Sequence, residues 1–167
     1  MSGGNSIAIL QIGRTKTGKT TNSKKMIEKL DKSMKKHIYD VNNEYSEFYQ
    51  EPFIPYSDFM NKIKDVKNSF ILFEEATIFF STRGTYKELE EFLVRKRHTN
   101  NYIVLNFHSF ASIPKPIFNL VDYVVIFKTN DTLKNVKDKF DQEKLIKAFE
   151  EVRKSENNYF NKSVSLY

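Results

Sequence analysis

The sequence predicts an α/β fold: a parallel sheet of about five strands with helices on both faces. Three observations point there. Short apolar runs recur at residues 7–12, 37–41, 69–73, 102–107 and 123–127. Between most of them stand segments with apolar residues at helical spacing, and strands alternating with helices build parallel sheets. A glycine-rich turn directly after the first run marks the edge where such a sheet meets a ligand.

The elements follow in order. Ile7-Ala8-Ile9-Leu10-Gln11-Ile12 reads as a buried strand. Gly13-Arg14-Thr15-Lys16-Thr17-Gly18-Lys19-Thr20 then completes a G-x-x-x-x-G-K-[ST] phosphate-binding loop, and an amphipathic helix follows it. Gly13 and Gly18 let the backbone curl so that N–H groups point inward, and the helix N-terminus adds partial positive charge. Lys19 is placed to reach β- and γ-phosphates, and the Thr20 hydroxyl to hold Mg²⁺. Arg14, Thr15, Lys16, Thr17 and Thr21 complete the expected nucleotide-binding set, with ATP and Mg²⁺ as ligands.

The first helix is expected over Lys19 to Lys36, with Met26, Ile27, Leu30 and Met34 on one face and most of the lysines on a solvated one. His37 to Val41 is a short second strand, and Glu44 to Pro55 is aromatic and irregular, broken by Pro52 and Pro55. A helix near Ser57 to Lys67 leads to the third strand, Ser69 to Phe73. Another spans Tyr86 to Arg97, with Leu89, Phe92 and Leu93 inward. The fourth strand is Tyr102 to Phe107, Pro114 and Pro116 open a helical turn, and Tyr123 to Phe127 is the fifth strand. Beyond Lys128 the chain is charged, with one helix near Gln142 to Lys154 carrying Leu145, Ile146, Phe149 and Val152 on one side. Residues 1–128 therefore form the core, and residues 129–167 a C-terminal helical extension packed on the same domain.

The third strand ends in Glu74-Glu75. Carboxylates emerging at the C-terminal edge of a buried strand stand where open α/β sheets bind ligands. Glu74 is expected to support Mg²⁺ through water, since that ion keeps much of its hydration shell. Glu75, one residue on, is placed to act as general base toward an attacking water. A glutamate in that position favours hydrolysis over phosphoryl transfer. The arginine-rich lid of small kinases is absent, and Asn119-Leu120-Val121-Asp122 lacks the lysine of a guanine reader.

Composition bounds the rest. At 167 residues the chain is one domain, and without cysteine it has no disulfide, thiolate metal site or cysteine nucleophile. The first strand is too short to span a membrane and no basic leader precedes it, so a cytoplasmic protein is expected. The formal charge of +6 favours an acidic partner such as nucleic acid, although a lysine-solvated surface accounts for it equally well. The arginines are Arg14, Arg83, Arg95, Arg97 and Arg153.

Three further segments, in order, resemble the HerA–FtsK superfamily of DNA-pumping ATPases, especially its viral packaging and zonula-occludens-toxin-like branches. Ile38-Tyr39-Asp40-Val41-Asn42-Asn43-Glu44-Tyr45 is similar to a second strand ending in D-x-x-x-E-Y, and the Glu-Glu-Ala strand to the Walker B element. Arg97-His98-Thr99-Asn100, followed by Ile103 to His108, resembles an R-H/K-x-G turn and a strand ending in a polar sensor. In this chain His108 stands where the sensor is usually glutamine, Glu74 where an aspartate is usual, and no glycine follows the Arg-His pair.

The resemblance, covering roughly residues 6 to 128, implies an additional-strand, catalytic-glutamate P-loop fold with the fourth strand between the Walker A and Walker B strands. His108 would then sit beside the γ-phosphate. It also implies a homo-oligomeric ring, commonly a hexamer, in which an arginine reaches a neighbour's nucleotide; such a finger is worth ~10³ or more in rate. Arg97 is the first candidate and Arg83 the second, Arg83 facing a DNA channel as its alternative, while Arg14 would touch nucleotide in cis. The expected function is ATP hydrolysis coupled to movement of double-stranded DNA, as in viral or phage genome packaging, with a capsid or portal-type partner. The alternatives are a zonula-occludens-toxin-like assembly or secretion ATPase, a small nucleotide kinase, and a binding-only switch.

Overall fold

The computed structural model describes residues 5–80, 85–140 and 142–167. Its elements are β1 Ile7–Ile12, α1 Lys19–Glu28, β2 Lys35–Tyr39, α2 Tyr56–Ile63, β3 Ser69–Phe73, α3 Thr85–Arg95, β4 Tyr102–Phe107, α4 Lys115–Phe118, β5 Tyr123–Ile126, α5 Leu133–Lys139, α6 Glu143–Lys154 and β6 Lys162–Ser165. Short 3₁₀ turns follow β3 (Ala76–Phe80) and α3 (Lys96–His98).

The strands form one sheet in the order β2-β3-β4-β1-β5-β6. All pairings are parallel except β5 with β6, which is antiparallel. β4 lies between β1 and β3, so the strand before the phosphate loop and the strand before the two glutamates are separated by one strand.

Burial explains the layering. On one face, Leu10, Ile12, Ile71, Phe73, Ile103 and Leu105 pack with residues of α2, α3, α4, α5 and α6 in the larger core. Aromatic rings knit it: Phe59 meets Tyr39 at 5.3 Å and Phe73 at 5.5 Å, and Phe149 meets Phe110 edge-on at 6.0 Å. Edge-to-face geometry at this separation suits the ring quadrupoles. The other face is a smaller cluster of Ile27, Ile38, Tyr45, Phe70, Leu72 and Val104, roofed by α1.

Several boundaries differ from the sequence reading, and α2 ends at Ile63 rather than near Lys67. The first helix stops at Glu28 rather than near Lys36. There the ladder tightens through Leu30 N–H to Ile27 O at 3.2 Å, and the Asp31 carboxylate accepts from Ser33 N–H and Oγ, turning the chain. Aspartate competes for backbone in this way, and so ends helices that apolar spacing alone would extend. β2 accordingly begins at Lys35, and Val41 is left exposed beyond it.

The segment after Lys128 contributes two elements beyond the helix read from sequence, α5 and β6. α5 is capped by Thr132, whose side chain accepts from Asn135 N–H at 3.3 Å. β6 pairs Val164 with Val124, and Lys162 bridges to Glu151 of α6 at 2.8 Å. α6 buries Leu145, Ala148, Phe149 and Val152, the side its periodicity predicts except that Ala148 replaces Ile146 in the buried set.

Candidate functional site

β1 delivers the chain into the phosphate loop at the C-terminal edge of the sheet. Gly13 N–H donates to Phe107 O and Arg14 N–H to Lys128 O, so both neighbouring strands anchor the loop. Glycine is required at position 13, because a Cβ there would stand 2.5 Å from the Phe127 Cβ. Gly18 adopts φ 104°, a left-handed conformation that side chains resist, and it begins α1 without a side-chain cap. Thr17 closes the loop through its hydroxyl to Arg14 O at 2.8 Å.

Lys19 is buried, and its ammonium donates to the carbonyls of Gly13 and, at 3.0 Å, Arg14. Burial lowers its pKa, while the carboxylates of Glu74, Glu75 and Glu44 pull it back up. A cation held by loop carbonyls and facing three carboxylates is well placed to meet a polyanion.

The apolar β3 ends at Phe73, and Glu74 follows at 7% exposure. Its Oε1 accepts from Thr20 Oγ1 at 3.0 Å, and its Oε2 from Asn106 Nδ2 at 2.7 Å and from the Tyr45 hydroxyl. Burial pushes its pKa up to about 7 against the pull of the Tyr45 and Thr20 hydrogen bonds; Glu44 adds to the rise and Asn106 opposes it. Tyr45 reaches this carboxylate because Asp40 accepts from the N–H groups of Glu44 and Tyr45 at 2.9 and 2.8 Å. The same turn brings Glu44 Oε2 to 3.5 Å from Thr20 Oγ1. The D-x-x-x-E-Y spacing thus has a mechanical reading, in which the aspartate folds the turn that aims the glutamate and tyrosine.

Glu75 meets His108, just past β4, with Nε2 2.8 and 2.9 Å from its two carboxylate oxygens. Thr15, Lys16, Gly18, Lys19, Thr20, Thr21, Glu74, Glu75 and His108 line one cleft of about 620 Å³ together with Asn42, Glu44 and Tyr159. That volume suits a nucleotide-sized ligand. The oxygen donors gathered at Thr20, Glu74 and Glu44 suit a hard cation such as Mg²⁺. Among the described residues no group of three or more His, Cys, Asp or Glu converges on a metal position. A cation there would therefore draw its remaining ligands from water and phosphate.

The other expected site residues lie elsewhere. Gly13 and Thr17 are buried in the body of the loop. Arg14 turns outward, its Nη2 donating to Asn158 Oδ1 at 3.0 Å. Arg97 lies in the turn Lys96–His98 before β4. That turn adjoins the start of β1, where Lys96 O accepts from Ser6 Oγ, so it occupies the sheet edge opposite the phosphate loop. Arg83 lies outside the described residues.

Sequence reasoning passed over a buried polar strip beneath α1. Gln11 Nε2 donates to Ser23 Oγ at 2.6 Å and Asn106 Oδ1 at 2.9 Å, Asn22 Nδ2 donates to Gln11 Oε1, and Asn106 continues to Glu74. The signal was visible: Ile-Ala-Ile-Leu-Gln-Ile and Tyr-Ile-Val-Leu-Asn-Phe each carry one carboxamide at the fifth position. Parallel pairing sets those two residues side by side.

Comparison with known proteins agrees with this geometry. No curated protein sequence matches the chain significantly. The genome packaging NTPase B204 from Sulfolobus turreted icosahedral virus 2, in complex with ATP-γS, superposes with TM-score 0.76 at 20% identity, over 99% of this chain and 94% of that one. The N-terminal domain of zonular occludens toxin from Neisseria meningitidis gives TM-score 0.55 at 16% identity, over 75% and 78% of the two chains. The pCW3 conjugation coupling protein TcpA with ATPγS gives 0.57 at 14% identity, over 83% and 53%. The sequence model of zonular occludens toxin (Zot) matches residues 16–144. A match over most of the chain decides the family: it belongs to the zonular occludens toxin (Zot) family, within the HerA–FtsK group of P-loop proteins.

Proposed function

We propose that this chain hydrolyses ATP with Mg²⁺ and couples the turnover to translocation of double-stranded DNA in viral or phage genome packaging. The observation that carries the reading is the convergence, in one cleft, of Lys19 and Thr20 from the phosphate loop with Glu74 and Glu75 from the end of β3. Lys19 neutralises the β- and γ-phosphates, and Thr20 with Glu74 holds Mg²⁺, which supplies charge compensation when bound. Glu75 takes the proton of the attacking water, and His108 orients its carboxylate from the adjacent strand end. The fold shared with a viral genome packaging NTPase supports the packaging reading, as does the basic charge of +6.

The chain works in this reading as a homo-oligomeric ring, with hexamer the favoured size and a capsid or portal-type partner. Arg97, with Arg83 as the alternative, reaches the nucleotide of a neighbour; Arg97's place at the far sheet edge is consistent with a role in trans. A second reading, virion assembly or extrusion, is favoured by the family match itself. Among the described residues no helix is long and apolar enough to cross a membrane.

Steady-state ATP hydrolysis, measured with and without long double-stranded DNA, tests the proposal. DNA-stimulated turnover that disappears in Glu75→Gln, with ATP still bound, is the expected result. DNA-independent turnover would favour the assembly reading, and acceptor-dependent ADP formation a kinase.

A further inference from the structure

The turn that leads into β6 is fastened to the phosphate loop. Asn158 Oδ1 accepts from Arg14 Nη2 at 3.0 Å while its Nδ2 donates to Lys16 O at 3.2 Å, so one carboxamide clasps the loop at two points. The turn is internally braced: Tyr159 N–H donates to Asn157 Oδ1 at 2.9 Å, Asn157 N–H to Ser155 Oγ at 3.2 Å, and Phe160 N–H to Asn157 O at 3.2 Å. Phe160 packs against the main core and β6 pairs with β5, so both sides of the turn are tied down.

What this bracing presents is Tyr159. Its ring stands over the start of α1, with Cδ1 3.6 Å from where a Gly18 Cβ would lie, and it lines the same cleft as Lys19 and Thr20. Yet the residue is 66% exposed. A large aromatic side chain with its backbone held and its surface in water is a prepared contact surface rather than a core residue.

The sheet order supplies the direction. Glu74 and Glu75 leave β3, to one side of β1, whereas Tyr159 enters β6, to the other side beyond β5. A nucleoside triphosphate whose γ-phosphate faces Glu75 has its opposite end directed toward Tyr159. We propose that Tyr159 is the nucleobase platform of the cleft: the base stacks on its ring, and Asn158 and Arg14 position that ring relative to the phosphate loop. The proposal rests on the nucleotide-site reading above and extends it to the part of the substrate that the phosphate loop does not touch.

The test compares two probes, ATPγS and inorganic tripolyphosphate, by calorimetric titration of the wild type, Tyr159→Ala and Tyr159→Phe. Base–aromatic stacking predicts that Tyr159→Ala weakens ATPγS by about 5- to 150-fold. Tripolyphosphate affinity stays within about twofold of wild type, because it offers no base to stack. Tyr159→Phe keeps the ring and binds both probes as the wild type does. The proposal is overturned if Tyr159→Ala binds ATPγS normally, if both probes weaken equally (the ring then merely supports the loop), or if Tyr159→Phe fails as badly as Tyr159→Ala. A wild type that binds neither probe overturns the nucleotide-site reading itself, and this inference with it.

Discussion

Replacing Tyr45 by Phe deletes one oxygen from the centre of the site and leaves the packing in place. The ring is fully buried among Ile27, Ile38, Phe70, Leu72 and Val104, so Phe fills the same space. The loss is the hydroxyl that donates to Glu74 Oε2, leaving that carboxylate with Asn106 at 2.7 Å and Thr20 at 3.0 Å. A hydrogen bond to a charged acceptor contributes about 1.5–3 kcal/mol. For a chain of this length each kcal/mol moves Tm by about 2–4 °C, so the expected fall is roughly 3–12 °C.

The pH dependence follows from the direction of the Glu74 shift. Its pKa is already raised to about 7, chiefly by burial, and the Tyr45 hydrogen bond is the first influence holding it down. Above its unfolded value the folded state binds more protons than the unfolded one, so this carboxylate's contribution to stability declines as pH rises toward 7. Losing the hydroxyl raises the folded pKa further and extends that decline upward. The deficit of Tyr45→Phe is therefore larger near pH 8, where Glu74 is ionised, than near pH 5, where it is protonated. Thermal unfolding at both pH values, repeated in a Glu74→Gln background, isolates the pair. A Tm shift below about 1 °C at the higher pH, or equal shifts at both, would refute the reasoning.

Three further outcomes are expected. Lys19→Ala removes the cation aimed at the phosphates and should abolish ATPγS binding in calorimetry while leaving Tm within a few degrees; unchanged affinity would move the nucleotide elsewhere. Asp122→Ala strips the buried Lys96 of its 2.6 Å carboxylate contact and Ala8 N–H of its acceptor, and should cost about 3 kcal/mol in urea unfolding. That pair lies at the sheet edge opposite the cleft, so ATPγS affinity should not change. Arg97→Ala subunits, inactive alone, should recover turnover when mixed with Lys19→Ala subunits, since each supplies what the other lacks; mixtures that stay inactive would remove Arg97 as the trans-acting group.

Much of this architecture was legible because its signals are local. The phosphate loop, the buried β3 followed by two glutamates, and the alternation of apolar runs with amphipathic helices are each contained in a short window. The insertion of β4 between β1 and β3 came from the resemblance, because strand order is a tertiary property that no window records. β6 escaped notice because Lys-Ser-Val-Ser buries a single apolar residue, Val164, and owes its strand conformation to β5. The early end of α1 was missed because Asp31 and Ser33 outweigh a periodicity that continues through Leu30 and Met34. The roles of Tyr45, Gln11, Asn106 and Tyr159 emerge only when distant segments meet, and each is separated in sequence from what it touches.

The carboxamide pair at the base of the cleft has a further consequence, for folding itself. A parallel sheet of aliphatic strands gains nearly the same burial whether two strands meet in register or slide past one another by two residues, since that shift keeps every side chain on its own face. Here such a slide would set Gln11 against Val104 or His108, and Asn106 against Ile9 or Gly13. Each carboxamide would lose the other, and the Asn106 carbonyl would lose its Gln11 donor beneath α1, at a cost of about 1–3 kcal/mol for a buried acceptor left unsatisfied. Gln11 and Asn106 act as a key cut into otherwise interchangeable strands. The mutual alignment of the loop that grips phosphate and the strand end carrying His108 is thereby settled during assembly of the sheet, before any nucleotide arrives.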